Sequence, residues 1–155
     1  MLRGLIFLFA VLTGAQAFAG DTESDTLALI NAARAKAGCA ALVTEPHMHA
    51  AALAHAKDMA EKDYFSHTGK DGSTFATRVR RAGLNMGAGA ENIAAGYKDP
   101  QKVVSIWLQS PGHRKNMLNC SYRRTGLAMF YQANDKPIQG NSFAYKYYWV
   151  QVLSK

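Results

Sequence analysis

His67, Glu91 and His113 carry side chains that do chemistry, at positions that core packing alone does not call for. His67 follows Tyr64-Phe65-Ser66 at the start of a polar loop. His113 comes just after the turn-forming run Ser110-Pro111-Gly112, at the beginning of a short helix. A helix N-terminus disfavours imidazolium, so His113 tends towards the neutral ring that binds a metal or accepts a proton. Glu91 is the only acidic residue between Asp71 and Asp99, inside the small-residue stretch from Gly87 to Ile93. Two imidazoles and a carboxylate can ligate zinc or another divalent ion with positions left open. They can equally serve as acid and base around a bound water. The three are 24 and 22 residues apart, which is no local metal motif, so the fold itself must bring them together.

The other candidates weigh less. His47 and His49 flank a helix start and read as exposed polar residues, whereas His55 lies on that helix's apolar stripe and reads as a hydrogen-bonded core histidine. Ser110 precedes His113 by three residues, yet no G-x-S-x-G elbow surrounds it and no third member is evident. Cys39 and Cys120 are the only cysteines and neither sits in a C-x-x-C pair. A disulfide between them is expected in an oxidising compartment and would close a long loop, adding about 4–5 kcal/mol on the chain-entropy model. Two buried free thiols are the alternative.

The compartment is read from the N-terminus. Arg3 precedes an apolar run from Leu5 to Leu12, too short to span a bilayer, and small-residue cleavage patterns follow at Ala15-Gln16-Ala17 and Ala17-Phe18-Ala19. Residues 1–19 are therefore expected to be a secretory signal cleaved after Ala19, or after Ala17, with an uncleaved anchor as the alternative reading. The mature chain, 20–155, would form one domain and carry 17 basic and 11 acidic residues, a net +6. The expectation is a secreted, periplasmic or extracellular protein, monomeric and without a transmembrane segment once the signal is removed. The whole chain has 155 residues, 48% of them hydrophobic, which excludes a disordered chain and leaves little room for two full domains. Basic clusters at Arg78-Arg80-Arg81, Arg114-Lys115 and Arg123-Arg124 raise nucleic-acid binding. Export, and tyrosines that fall in apparent core strands, argue instead for solvated faces or for attraction to anionic envelope polymers and lipid head groups.

Patterning supplies the elements. A first helix is expected from an N-cap at Asp21-Thr22 until Gly38, a second from near Pro46 through Lys62, and a loop over Ser66–Ser73. Ser73 would cap a short helix over Thr74–Ala82 ended by Gly83, and residues 83–97 read as loop or short strand. Asp99-Pro100 is a strong helix start, and Ser110-Pro111 opens a further short helix. Tyr122–Gln132 and Phe143–Leu153 are rich in aromatic and β-branched residues, with a polar hairpin loop between them. Helices first and strands last make an α+β domain with an antiparallel sheet covered by helices.

Five segments in order carry a family resemblance: Met59-Ala60-Glu61-Lys62-Asp63-Tyr64-Phe65-Ser66-His67, Ala90-Glu91-Asn92-Ile93-Ala94, Trp107 through Leu118, Thr125-Gly126-Leu127-Ala128 and Tyr148-Trp149-Val150-Gln151-Val152. Together they resemble the bacterial branch of the CAP superfamily, which takes in the cysteine-rich secretory proteins, antigen 5 and plant pathogenesis-related 1 proteins. The likeness covers about residues 26–153. It implies an α-β-α sandwich with a short antiparallel sheet between helical layers, and a central cleft lined by two histidines and two acids that binds a divalent metal in some members. His67, Glu91 and His113 match three of the four. Ser110 stands in the cleft where many eukaryotic members carry the second acid, which puts in doubt any role that needs it. The resemblance leaves function open. The reading adopted is a secreted, non-catalytic binding module whose His/Glu cleft holds a divalent metal such as zinc and a ligand. A metal-assisted hydrolase acting on peptides or envelope polymers, with Glu91, His67 and His113 catalytic, is the alternative. A lipid or sterol carrier is a further one.

Overall fold

The computed structural model describes residues 14–155, with side chains from residue 21 onward. The expected leader over residues 1–19 therefore lies, apart from backbone from Gly14, outside the described residues, as does its anchor alternative. Among the described residues no helix is long and apolar enough to cross a membrane.

The elements follow in the order α1 (Gly14–Lys36), β1 (Val43–Thr44), α2 (Pro46–Glu61), α3 (Phe75–Arg81), β2 (Gly89–Ala95), α4 (Pro100–Gln109), α5 (Pro111–Met117), β3 (Arg124–Tyr131) and β4 (Tyr147–Ser154). Helix starts are fixed by local chemistry. Glu45 caps α2 by accepting the Met48 N–H at 2.7 Å, and Asp99 caps α4 by accepting the Gln101 N–H at 2.9 Å, each with proline just inside. Two expected boundaries move. α1 has no break at Asp21-Thr22, because the Ala-rich turn before that pair continues the helix. The cap of α3 is Thr74, whose hydroxyl accepts the Thr77 N–H at 3.3 Å, while Ser73 instead lies buried at the loop's end.

The sheet has the order β1-β3-β4-β2, antiparallel except for the two-residue parallel pair of β1 with β3. Strand alternation divides the core in two. On one face Ala94, Leu127, Met129, Trp149 and Leu153 pack with Ile30, Val104, Trp107 and Met117 of α1, α4 and α5. On the other, Ile93, Ala128, Tyr148, Val150 and Val152 pack with Met48, Ala52, Met59 and Val79 of α2 and α3. The result is an α+β domain of three layers, helices on both sides of one sheet, as expected.

Two features hold this arrangement together. Cys39 and Cys120 form the expected disulfide, Cα atoms 4.8 Å apart. Beside it Arg34, fully buried, donates to the carbonyls of Ala40 (3.0 Å), Met117 (2.7 Å), Asn119 (3.1 Å) and Tyr122 (2.9 Å), tying α1 to the turn after α5. Past β1, the outer side of β3 is met by side chains: Glu23 Oε1 accepts the Met129 N–H at 2.8 Å, and His49 Nδ1 donates to the Leu127 carbonyl at 2.8 Å.

Candidate active cleft at the margin of strand β2

β2 is the last strand of the sheet, so groups from both helical layers can meet around its free side. Glu91 points to the face covered by α2 and α3, with its side chain 1% exposed. Its Oε2 accepts from Arg78 Nη2 at 2.6 Å and its Oε1 is 2.9 Å from His67 Nδ1. A carboxylate already paired with a guanidinium is acceptor-only, so His67 Nδ1 is the donor and Nε2 is the nitrogen turned away from Glu91. The His67 side chain is 54% exposed, so that second nitrogen is open to a ligand.

Arg78 is itself positioned. It is 9% exposed and donates through Nη1 to the Ser73 carbonyl at 2.9 Å and through Nη2 to the His67 carbonyl at 3.1 Å. One guanidinium therefore fastens both ends of the His67 loop to the carboxylate. In the sequence Arg78 belongs to a basic cluster, for which a solvated face is the natural reading. Only Arg80 and Arg81 fit it: both are exposed, and Arg81 pairs with Asp71 at 2.5 Å. The available signal is the position of Arg78 next to Val79 on the buried side of a short helix.

The neighbouring position, Asn92, faces the opposite layer and brings α5 to the same place. Asn92 Nδ2 donates to the His113 carbonyl at 3.2 Å and to Gln151 Oε1 at 3.2 Å, while Asn116 Nδ2 donates to Asn92 Oδ1 at 3.0 Å. Asn116 Nδ2 also reaches the Glu91 carbonyl at 3.4 Å. Trp107 Nε1 donates to the Ile93 carbonyl at 3.1 Å, which sets α4 against the same strand. His113, half-buried, is held below the usual imidazole range, first by desolvation and then by the nearby charge of His67. The three expected residues are thus neighbours: His67 bonds Glu91, and His113 is near enough to feel His67. Ser110 is the N-cap position of α5, yet its side chain makes no cap bond, and among the described residues no hydrogen bond joins it to the other three. Asn92, Asn116 and Gln151 escape a reading by residue type, although Asn92 and Asn116 lie within the motif segments.

The donor set does not assemble a three-ligand metal centre in this arrangement. Both oxygens of Glu91 are committed, to Arg78 and to His67, and among the described residues no three His, Cys, Asp or Glu side chains are grouped to hold an ion. His55 is a core residue, as expected: it is 1% exposed, donates from Nε2 to the Ser66 carbonyl at 2.9 Å, and is held below the usual range mainly by burial.

The family model for the cysteine-rich secretory protein family, CAP, matches residues 27–153. The chain belongs to the CAP family. Among similar proteins, YkwD of Bacillus subtilis is 35% identical over 116 residues, 74% of this chain and 45% of its own length. The membrane protein YlbC of the same organism is 35% identical over 108 residues, 70% of this chain and 31% of its own. This CAP chain therefore spans less than half the length of either. An extracellular protein with an SCP domain from Bacillus anthracis superposes with a TM-score of 0.76 at 24% identity, covering 95% of this chain and 45% of that one. An outer surface protein from Borrelia burgdorferi does so with a TM-score of 0.75 at 19% identity, covering 87% and 92%. These two share the fold.

Proposed function

We propose that this CAP chain is a secreted, non-catalytic binding module that receives its ligand between the imidazoles of His67 and His113. The bond from His67 Nδ1 to Glu91, backed by Arg78, carries the reading. It turns Nε2 of His67 towards the ligand and withdraws Glu91 from direct contact with it. Burial, and then the neighbouring His67, favour the neutral form of His113, which offers an acceptor beside it. Secretion is supported by the leader-like N-terminus, by the disulfide, and by the extracellular SCP-domain protein with the same fold.

A divalent ion in this cleft would be held by the two imidazoles alone, with Glu91 orienting His67 from behind as an outer partner. Calorimetric zinc titration of chelator-treated mature protein tests this. The expected result is saturable binding lost in both His67→Ala and His113→Ala and weakened about 10–100-fold, without being lost, in Glu91→Gln. Complete loss in folded Glu91→Gln would make the carboxylate a ligand, and no binding in the wild type would remove the ion from the proposal. The same His67–Glu91 bond also favours a second reading, in which His67 Nε2 takes a proton from an attacking water. Turnover of a peptide or envelope glycan that disappears in both His67→Ala and Glu91→Gln would replace the binding reading with this one.

A further inference from the structure

α5 presents a second surface, away from the groups that reach Glu91 and Asn92. Pro111, Arg114, Lys115, Leu118, Asn119 and Cys120 border an open cavity of about 620 Å³. Arg114 and Lys115 are exposed, and among the described residues neither makes an ion pair. The chain between Asp99 and Asp135 contains no acidic residue at all, while Lys102, Arg114, Lys115, Arg123 and Arg124 fall within it. Arg123 donates to the Cys120 carbonyl at the border of the cavity. Beneath lies the guanidinium of Arg34, whose partners are all carbonyls, so its charge is spread but not cancelled. The cavity's backbone is tied on one side, where the disulfide holds Cys120 and Arg34 binds the carbonyls of Met117 and Asn119.

We infer that this cavity binds the phosphates of a linear phosphodiester polymer of the cell envelope, with Arg114 and Lys115 on successive anionic groups. Uncancelled positive charge around an open surface depression attracts anions, and two adjacent side-chain cations suit a repeating anion better than a single one. A lipid surface is the less favoured source of the same phosphodiester chemistry. Among the described residues none of the exposed large apolar ones, Val43, Leu53, Phe65, Tyr97, Tyr131 and Phe143, borders the cavity, which leaves little apolar surface there to enter a bilayer. The site is separate from the cleft and does not depend on how the cleft is read.

The test uses the full mature chain and an end-labelled poly(glycerol phosphate) of defined length, followed by anisotropy at low salt. Saturable binding should weaken at least tenfold in Arg114→Gln/Lys115→Gln, recover in Arg114→Lys/Lys115→Arg, and stay within about twofold in Arg80→Gln/Lys98→Gln, which changes net charge equally. Its dependence on log salt should become shallower by about one to two in the first variant as phosphate contacts are lost. Equal losses in the two charge-reducing variants would reduce the effect to general attraction and overturn the proposal. It would also be overturned by no saturable binding in the wild type, by inorganic phosphate binding as tightly as the polymer, or by phosphatidylglycerol vesicles binding where the polymer does not. A zinc titration of Arg114→Gln/Lys115→Gln reports the cleft separately, so failure of one reading is distinguishable from failure of the other.

Discussion

Glu91 is buried with an acceptor bond on each oxygen, and the two donors do different things. Arg78 balances the charge, whereas His67 receives an orientation from it. Removing the cation while keeping apolar bulk, in Arg78→Met, strands a buried carboxylate and should cost about 3–5 kcal/mol in urea unfolding at neutral pH. Replacing the acceptor instead, in Glu91→Gln, puts an amide that can donate or accept beside Nδ1 and should let the His67 ring exchange tautomers, visible in its nitrogen chemical shifts, a change that simple loss of stability would not produce. A second prediction concerns acid. His55 is held below the ordinary imidazole range by burial and the charge of Arg78, and His113 by burial and His67. The native state then binds fewer protons than the unfolded chain, so their contribution is complete above about pH 6.5 and is lost as pH falls below it. One fully shifted group gives at most about 1.4 kcal/mol per pH unit. Fully buried His55 should dominate, and the half-exposed His113 should add less. Unfolding midpoints between pH 7.5 and 5.5 should fall in the wild type and fall less steeply in His55→Gln.

The helices are set against the sheet by close backbone approach as much as by side-chain volume. At Gly126 an added Cβ would stand 2.0 Å from the Met48 carbonyl carbon and 2.3 Å from the His49 nitrogen. Both are main-chain atoms, so relief requires moving α2 off β3. Gly126→Ala should therefore lower stability by about 3 kcal/mol, at the upper end for overpacking, with an unchanged denaturant slope. Sequence patterning made much of this level legible. Pro46 and Asp99-Pro100 marked helix starts that the structure keeps, and the alternation Tyr148, Val150, Val152 marked the face that packs on α2. β2 was harder to see, because Gly89–Ala95 is composed of small residues and one carboxylate, and only its pairing with β4 makes it a strand. β1 had no local signal, being two exposed residues recruited by β3. For the cleft, the residue types His67, Glu91 and His113 could be picked out from their settings. Arg78 was masked by the exposed arginines beside it, and its one local signal is its place next to Val79 on the buried side of the short helix.

Across the whole molecule, the covalent tie and the Arg34 clamp join the same regions, the end of α1 and the turn that follows α5. Cys39→Ser/Cys120→Ser should remain folded and lose about 2–4 kcal/mol, chiefly because the unfolded chain regains the freedom of a long loop. Arg34→Met should lose at least as much by a different route, leaving several buried carbonyls without a donor. Thermal and urea unfolding of the two variants, with circular dichroism to confirm native structure, checks the comparison. The outer flank of β3 has its own consequence. Glu23 and His49 occupy the Met129 N–H and the Leu127 carbonyl, two groups that an incoming strand would use. They act as stoppers on that flank: a neighbouring strand that approaches β3 beyond β1 finds these two ladder groups already taken, and Glu23→Ala/His49→Ala should open this side to strand addition.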